Sequence, residues 1–246
     1  MDIDAIKSKL ATLQSTSNTK DNFWKPEPGK QVVRIVPYKH NKDNPFIELF
    51  FHYNLGNNKT YLSPMSFGRP DPVAEFADKL KSTGNKDEWI QGKRLEPKMR
   101  TFAPVIVRGK ESEGVKFWGF GKTVYQELLG VIADPDYGDI SDPETGTDIV
   151  LTYTVPGTPG SFPKSQIKPR RRPSVLCDES VADCQELVDS VPDIAGIFNR
   201  LSSDEVQTLL DDSFSSEGSA ENRSSESQRY NTNDSVQSAF DKLMAE

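Results

Sequence analysis

Histidine and cysteine are almost absent from this chain, with two of each in 246 residues. Cys177 and Cys184 sit in an acidic stretch without a neighbouring histidine, so no thiolate or imidazole metal site is expected and both thiols are expected to be reduced. His40 and His52 adjoin no serine or cysteine nucleophile pattern, and no paired carboxylates accompany them; catalysis is left without candidates. Gly121-Lys122-Thr123 ends like a phosphate-binding loop, but Lys116 stands where that loop needs its first glycine. The run Asp134-Pro135-Asp136-Tyr137-Gly138-Asp139 lacks the ligand spacing and terminal glutamate of a calcium loop, which makes it an acidic surface loop rather than a metal-dependent active site. No apolar run approaches the ~18 residues that span a bilayer, and Met1-Asp2-Ile3-Asp4 does not open a signal peptide. These absences point to a soluble, cytoplasmic, non-enzymatic protein with no cofactor and no membrane partner.

What is present is unevenly distributed. Residues 1–21 carry three basic and three acidic side chains, residues 22–172 carry 23 and 18, and residues 173–246 carry four and 16. A basic body of +5 is thus joined to an acidic end of −12, although the whole chain is −7. A global excess of acid does not exclude a polyanionic partner when charge is segregated in this way.

Hydrophobic spacing divides the chain further. Ile3, Ile6, Leu10 and Leu13 predict a helical arm over residues 1–21. From Phe23 the pattern turns to β: Val32, Val33, Ile35 and Val36, then residues 46–53, then Tyr61-Leu62. Asp71-Pro72 reads as an N-cap and first helical residue, and residues 122–133 as a later helix with Val124, Leu128, Val131 and Ile132 inward. Strands are expected over 148–155 and 165–172. Short strands with an inserted helix suit a mostly β, α+β body over residues 22–172, best described as a small mixed barrel. Residues 173–212 read as an acidic helical segment, and residues 213–246 as a serine-rich disordered tail. That tail ends in an apolar stripe, Val236, Phe240, Leu243 and Met244, suited to docking in a partner's groove.

Cations and aromatics interleave between Lys93 and Tyr125. Strand alternation puts Lys98, Arg100 and Phe102 on one face and Met99, Thr101, Ala103, Val105 and Val107 on the other. After the turn at residues 109–114, Lys116, Trp118 and Phe120 are expected to join the basic-aromatic face, with Val115, Phe117 and Gly119 opposite. Cations neutralise phosphates and rings stack on unpaired bases, a combination suited to single strands. The competing reading makes Trp118 and Phe120 core and the cations a solvated rim.

The stretches 23–38, 44–53, 103–108 and 115–125, with Phe120-Gly121-Lys122, resemble the single-stranded-DNA-binding, helix-destabilising proteins of T-even-type bacteriophages, in their short marine and cyanobacterial-virus variety. The resemblance runs from Phe23 to Arg172. It implies an OB-type barrel with an inserted subdomain that coats single strands in phage replication, recombination and repair within the infected host. Trp118 falls at a base-stacking position of that family and Lys122 at a cation of the same cleft. The expected cleft comprises Phe102, Trp118 and Phe120 with Lys93, Arg94, Lys98, Arg100, Lys116 and Lys122, and Arg34, Tyr38, Arg170, Arg171 and Arg172 at its edges. The zinc held by well-known members has no ligands in residues 61–76, which contain neither histidine nor cysteine; Phe67, Val73 and Phe76 are expected to stabilise that subdomain by packing. The N-terminal arm would mediate self-association along DNA, but its Lys7, Lys9 and Lys20 are offset by Asp2, Asp4 and Asp21. The alternative is an adaptor acting mainly through its acidic tail to recruit replication or recombination partners.

The charge split generates a test. Removing residues 213–246 is expected to raise affinity for single strands at low salt, because a tethered polyanion no longer competes for the basic body, and to abolish partner recruitment. The gain should shrink as salt screens the tail; equal low-salt affinities in a binding titration would exclude the competition.

Overall fold

A computed structural model describes residues 22–41, 43–55, 59–155, 157, 162–177, 181–198, 201–202 and 204–210. The expected N-terminal arm, serine-rich tail and docking stripe lie outside the described residues. Among the described residues the architecture is mixed α+β with eight strands, and the chain divides into two units. The described residues up to Glu48 together with Arg100–Ile197 form unit 1. Leu49–Met99, with the described residues from Phe198 onward, form unit 2.

Unit 1 is built on a sheet whose strand order is β1-β6-β5-β2-β7-β8, with β1 Phe23–Trp24, β2 Gly29–Ile35, β5 Lys98–Val107, β6 Lys116–Phe120, β7 Ile149–Thr154 and β8 Lys164–Pro169. The β1–β6 pair is parallel; β5–β6, β2–β5, β2–β7 and β7–β8 are antiparallel. From Thr101 to Val107 every residue of β5 is buried, as expected of a central strand covered on both faces. Val33, Ile35, Ala103, Val105, Trp118, Phe120, Ile149 and Leu151 form the core, which is closed by Val124 and Leu128 of the helix α3, Lys122–Ala133. That helix has the limits and inward residues its spacing predicts; Val131 and Ile132 are half-buried against the same core.

The first part of the acidic segment packs on unit 1. Asp148 is buried and accepts bonds from Arg108 Nε and Nη2, both at 3.1 Å, while Arg34 Nη1 lies 3.9 Å and Arg170 Nη1 3.8 Å away. Arg108 also donates to the carbonyls of Val175 and Leu176, and Arg34 to that of Asp142 and to Ser174 Oγ. Two arginines thereby hold the chain beyond Pro173 against the sheet. Cys177 and Cys184, expected as free thiols, are instead joined in a disulfide. Cys184 lies on helix α4, Val181–Asp189, and the two Cα atoms are 5.7 Å apart, within bridging reach.

Unit 2 contains the hairpin of β3, Ile47–Leu55, and β4, Lys59–Leu62, from Leu49 onward, followed by helices α1, Pro72–Ser82, and α2, Lys86–Leu95. Asp71 caps α1 as its sequence signalled, accepting from the Val73 and Ala74 amides. Helix α2 was not expected. The two helices approach closely at Gly92, where a Cβ would lie 2.6 Å from the Ala77 carbonyl oxygen. Val73, Phe76 and Leu80 bury against Val206 and Leu210. Val73 and Phe76 thus pack as the sequence suggests, whereas Phe67 is only half-buried.

Because Arg34 is fully buried, loss of its counter-charge should be severe. Asp148→Ala is expected to destabilise the protein by about 3–5 kcal/mol, the cost of orphaning a buried charge, whereas exposed Arg171→Ala should change stability by less than about 0.5 kcal/mol. Urea denaturation of both variants checks this; equal midpoints would remove the Asp148 cluster from its structural role.

Candidate nucleic-acid interface

The β5–β6 register decides which aromatics are available. Phe102 pairs with Gly119, Ala103 with Trp118 and Thr101 with Phe120, so Trp118 and Phe120 share the face of Ala103 and Val105. The facing expected for β6 is therefore reversed. Trp118 is 1% and Phe120 3% exposed, and Trp118 meets Trp24 edge-on at 6.0 Å. Both alternating sets of β6 are apolar enough to be core, and glycine settles the choice: a Cβ at position 119 would lie 2.8 Å from the Phe102 ring. Phe102 covers Gly119 and meets Phe23 edge-on at 5.9 Å. Phe117 lies between Phe23 and Tyr38, with centroids 6.2 and 6.1 Å away.

Two further expected residues are structural. Arg34 sits in the Asp148 cluster; burial pushes its guanidinium pKa down, and the opposing pull of Asp148 does not cancel this. Tyr38 is 5% exposed, bonds Asp193 Oδ1 at 3.2 Å and accepts from the Ile194 amide at 3.1 Å. Burial is the main cause that raises its phenol to about 12. Neither is an edge residue of an open cleft.

The remaining cations of unit 1 lie at the surface. Arg100 is exposed beside Gly121, and Lys122 is exposed at the start of α3. Lys116 is half-buried and paired with Glu113 at 2.9 Å. Arg170, Arg171 and Arg172 are exposed just beyond β8. That strand adds residues the sequence reading missed: exposure alternates along it, leaving Lys164, Gln166 and Lys168 outward. Phe162, just before β8, is 86% exposed. No acidic residue occurs from 149 to 172, a compositional signal that could have singled out this strand.

In unit 2, Lys93 and Arg94 lie on the last turn of α2 rather than on a strand, because Asn85 caps a helix there. Trp89 of the same helix is 47% exposed, with Lys93 Nζ 5.7 Å from its ring centroid. Glu96 binds Lys81 at 2.5 Å and Lys93 at 2.9 Å, and lies 3.7 Å from Lys98. Hydrogen bonds from Lys81 and then Lys93 pull its carboxyl down to about 2. Arg94 is exposed. The asparagine cap, acids in the first turn and bases in the last were a legible helix signature.

The arrangement can stack rings and neutralise phosphates. Zinc does not fit the polar side chains near the start of α1 in unit 2: Asp71 Oδ2 meets His52 Nε2 at 2.8 Å and accepts from Ser63 Oγ, so this centre offers one imidazole and no thiolate. Among the described residues no three metal-ligating side chains cluster.

The family described as gp32 DNA binding protein like matches residues 27–212, and the chain belongs to it. Two curated relatives are single-stranded DNA-binding proteins. That of Enterobacteria phage T4 is 27% identical over 171 residues, covering 61% of this chain and 56% of the relative. That of Enterobacteria phage T2 is 29% identical over 139 residues, covering 50% and 45%. The chain spans about half the length of these relatives. The resemblance to the single-stranded-DNA-binding proteins of T-even-type phages is borne out at the level of the family, over residues 27–212 rather than Phe23 to Arg172.

The corrected register changes what Trp118 is expected to do. Trp118→Ala should behave as a core truncation costing about 3–5 kcal/mol, with Lys122→Ala neutral in stability to within about 0.5 kcal/mol. Chemical denaturation distinguishes them; a fully stable Trp118→Ala would return that ring to the surface.

Proposed function

We propose that this protein binds and protects single-stranded DNA without sequence preference or enzymatic activity, serving phage replication, recombination and repair in the cytoplasm of the infected cell. The observation that carries this reading is the pairing of exposed aromatic faces with surface cations in each unit. Phe162 accompanies Lys164, Lys168, Arg170, Arg171 and Arg172, and Trp89 accompanies Lys93 and Arg94. Rings held in this way accept any base, since every base has a π-face, while the cations follow the phosphates. Arg100, Lys116 and Lys122 add to the basic surface of unit 1 and Lys98 to that of unit 2, while Phe102, 8% exposed where it covers Gly119, is withdrawn from the expected stacking set. Family membership and the names of the phage T4 and T2 relatives support the same ligand. The sheet of unit 1 is read as an OB-type barrel interrupted by residues 49–99. Residues 236–244 dock replication and recombination partners, and the N-terminal arm contacts neighbouring copies along the strand.

Fluorescence titration with oligo-dT tests this directly. Trp24 and Trp118 are 8% and 1% exposed against 47% for Trp89, so quenching should come from Trp89. Trp89→Ala is expected to abolish most of the quench and weaken binding by about 1–3 kcal/mol. Replacing Lys164 and Lys168 together should lower the slope of log affinity against log salt by about 1.4, at roughly 0.7 per phosphate contact. No quench and a flat salt response would overturn the proposal and favour an adaptor acting through its tail.

A further inference from the structure

Glu127, Gly130, Val131 and Asp134 fall at positions i, i+3, i+4 and i+7 along α3 and its C-cap, so they share one side of the helix. The strands β7 and β8 pair Val150 with Lys168 and Thr152 with Gln166, which puts these four on one face of the hairpin. The two sets line a groove of about 600 Å³ in unit 1, and Tyr137, half-buried beyond the helix, adds the one ring of its lining. That volume lies within the range of sites that hold small organic groups. Gly130 keeps the groove open, since no atom lies within 4 Å of the place its Cβ would take. The two sides carry opposite charge. Glu127 and Asp134 are exposed carboxylates on the helix, and Lys168 is an exposed ammonium on the strand. Among the described residues neither Glu127 nor Lys168 has a side-chain partner. Asp134 Oδ1 accepts from the Asp136 amide at 3.0 Å, which leaves Oδ2 for a ligand.

A nucleotide has the matching polarity. An ionised carboxylate only accepts hydrogen bonds, so it selects a base edge that donates, such as the exocyclic amine of cytosine, adenine or guanine. Thymine offers one N–H between two carbonyls, and carboxylates repel the carbonyls. The same carboxylates repel phosphate, whereas Lys168 attracts it, so a strand would enter with its base toward α3 and its backbone toward β8. A basic side chain from a peptide would satisfy Glu127 and Asp134 but would bring a like charge to Lys168. We propose that this groove is a subsite for one base of the bound strand, selective for bases that carry an exocyclic amine. The inference rests on the single-strand reading of β8, because Lys168 belongs to both the groove and the row formed with Lys164 and Arg170. Stacking on Phe162 and Trp89 accepts any base, so the groove biases base composition and leaves sequence order unread.

Affinities of the full chain for oligo-dC and oligo-dT of equal length, measured at one salt concentration, test the subsite. The ratio of dC to dT affinity should fall about two- to tenfold in Glu127→Gln/Asp134→Asn, the range of one hydrogen bond, because the new amides can turn an N–H to thymine O4. Both absolute affinities should rise, since two charges that repel phosphate are gone. Gly130→Leu, which fills the groove, should lower the same ratio while sparing oligo-dT. All three positions are exposed, so urea midpoints should match that of the unmodified chain. A ratio equal in all three proteins, with binding intact, would overturn the subsite alone. Absence of binding to either oligonucleotide would overturn the single-strand reading with it. Loss of self-association in Gly130→Leu by sedimentation, with both affinities unchanged, would overturn the subsite and assign the groove to a peptide of a second copy.

Discussion

The close approach of Phe102 to Gly119 is the constraint on which unit 1 depends. A one-residue slip of β6 against β5 would exchange the whole set of side chains between faces. With Gly119 beneath the Phe102 ring, Trp118 is directed to the core, where it meets Trp24 and Phe120. The same register places Phe117 between Phe23 and Tyr38 on the other face. Both faces of the central strands are therefore committed to packing. What remains for a ligand lies at the margins: the edge strand β8, the approach to it at Phe162, and the start of α3.

Asp148 performs a second kind of organisation. Its carboxylate lies among three arginines, an excess of positive charge that carbonyls of Asp142, Val175 and Leu176 help to offset. Residues that look like the beginning of an acidic tail are thus drawn onto a basic body by the buried Arg34 and the half-buried Arg108. The buried Arg34 is committed to that packing, while Arg171 and Arg172 stay at the surface. Cations of one type in one sequence have separate tasks, divided by burial.

Much of the fold was legible. Alternating apolar residues marked β2, β5 and β7, Asp71-Pro72 marked the start of α1, and the spacing of Val124 and Leu128 marked α3. The facing of β6 was not legible, because Lys116, Trp118 and Phe120 compete with an equally apolar set and only the cross-strand partner decides. Helix α2 escaped because its buried positions include Glu88 and Gly92, which give no apolar stripe. Arg34 could not be distinguished from a surface cation, since its partners Asp142, Asp148 and Ser174 are more than a hundred residues away in sequence. The candidate site was accordingly legible in chemistry, as cations with aromatics, but Phe162 and Trp89 were missed because neither occurs in an alternating strand.

The two aromatic-cation groups differ electrostatically, and the difference bears on how each would meet a strand. Lys93 reaches both the Trp89 ring and Glu96, whose carboxyl is held near 2 by Lys81 and Lys93. A phosphate arriving there must compete with a carboxylate already in place, so much of its attraction is offset. Arg94 is the less encumbered cation of that turn, and stacking on Trp89 is the larger contribution that α2 can make. The β8 row has no acidic residue in the surrounding sequence, and Lys164 and Lys168 form no ion pair among the described residues. Counterion release should therefore be concentrated along β8 and its following arginines. On the proposed reading, base stacking and phosphate neutralisation, which the sequence interleaves in one run, fall respectively to a helix of unit 2 and an edge strand of unit 1.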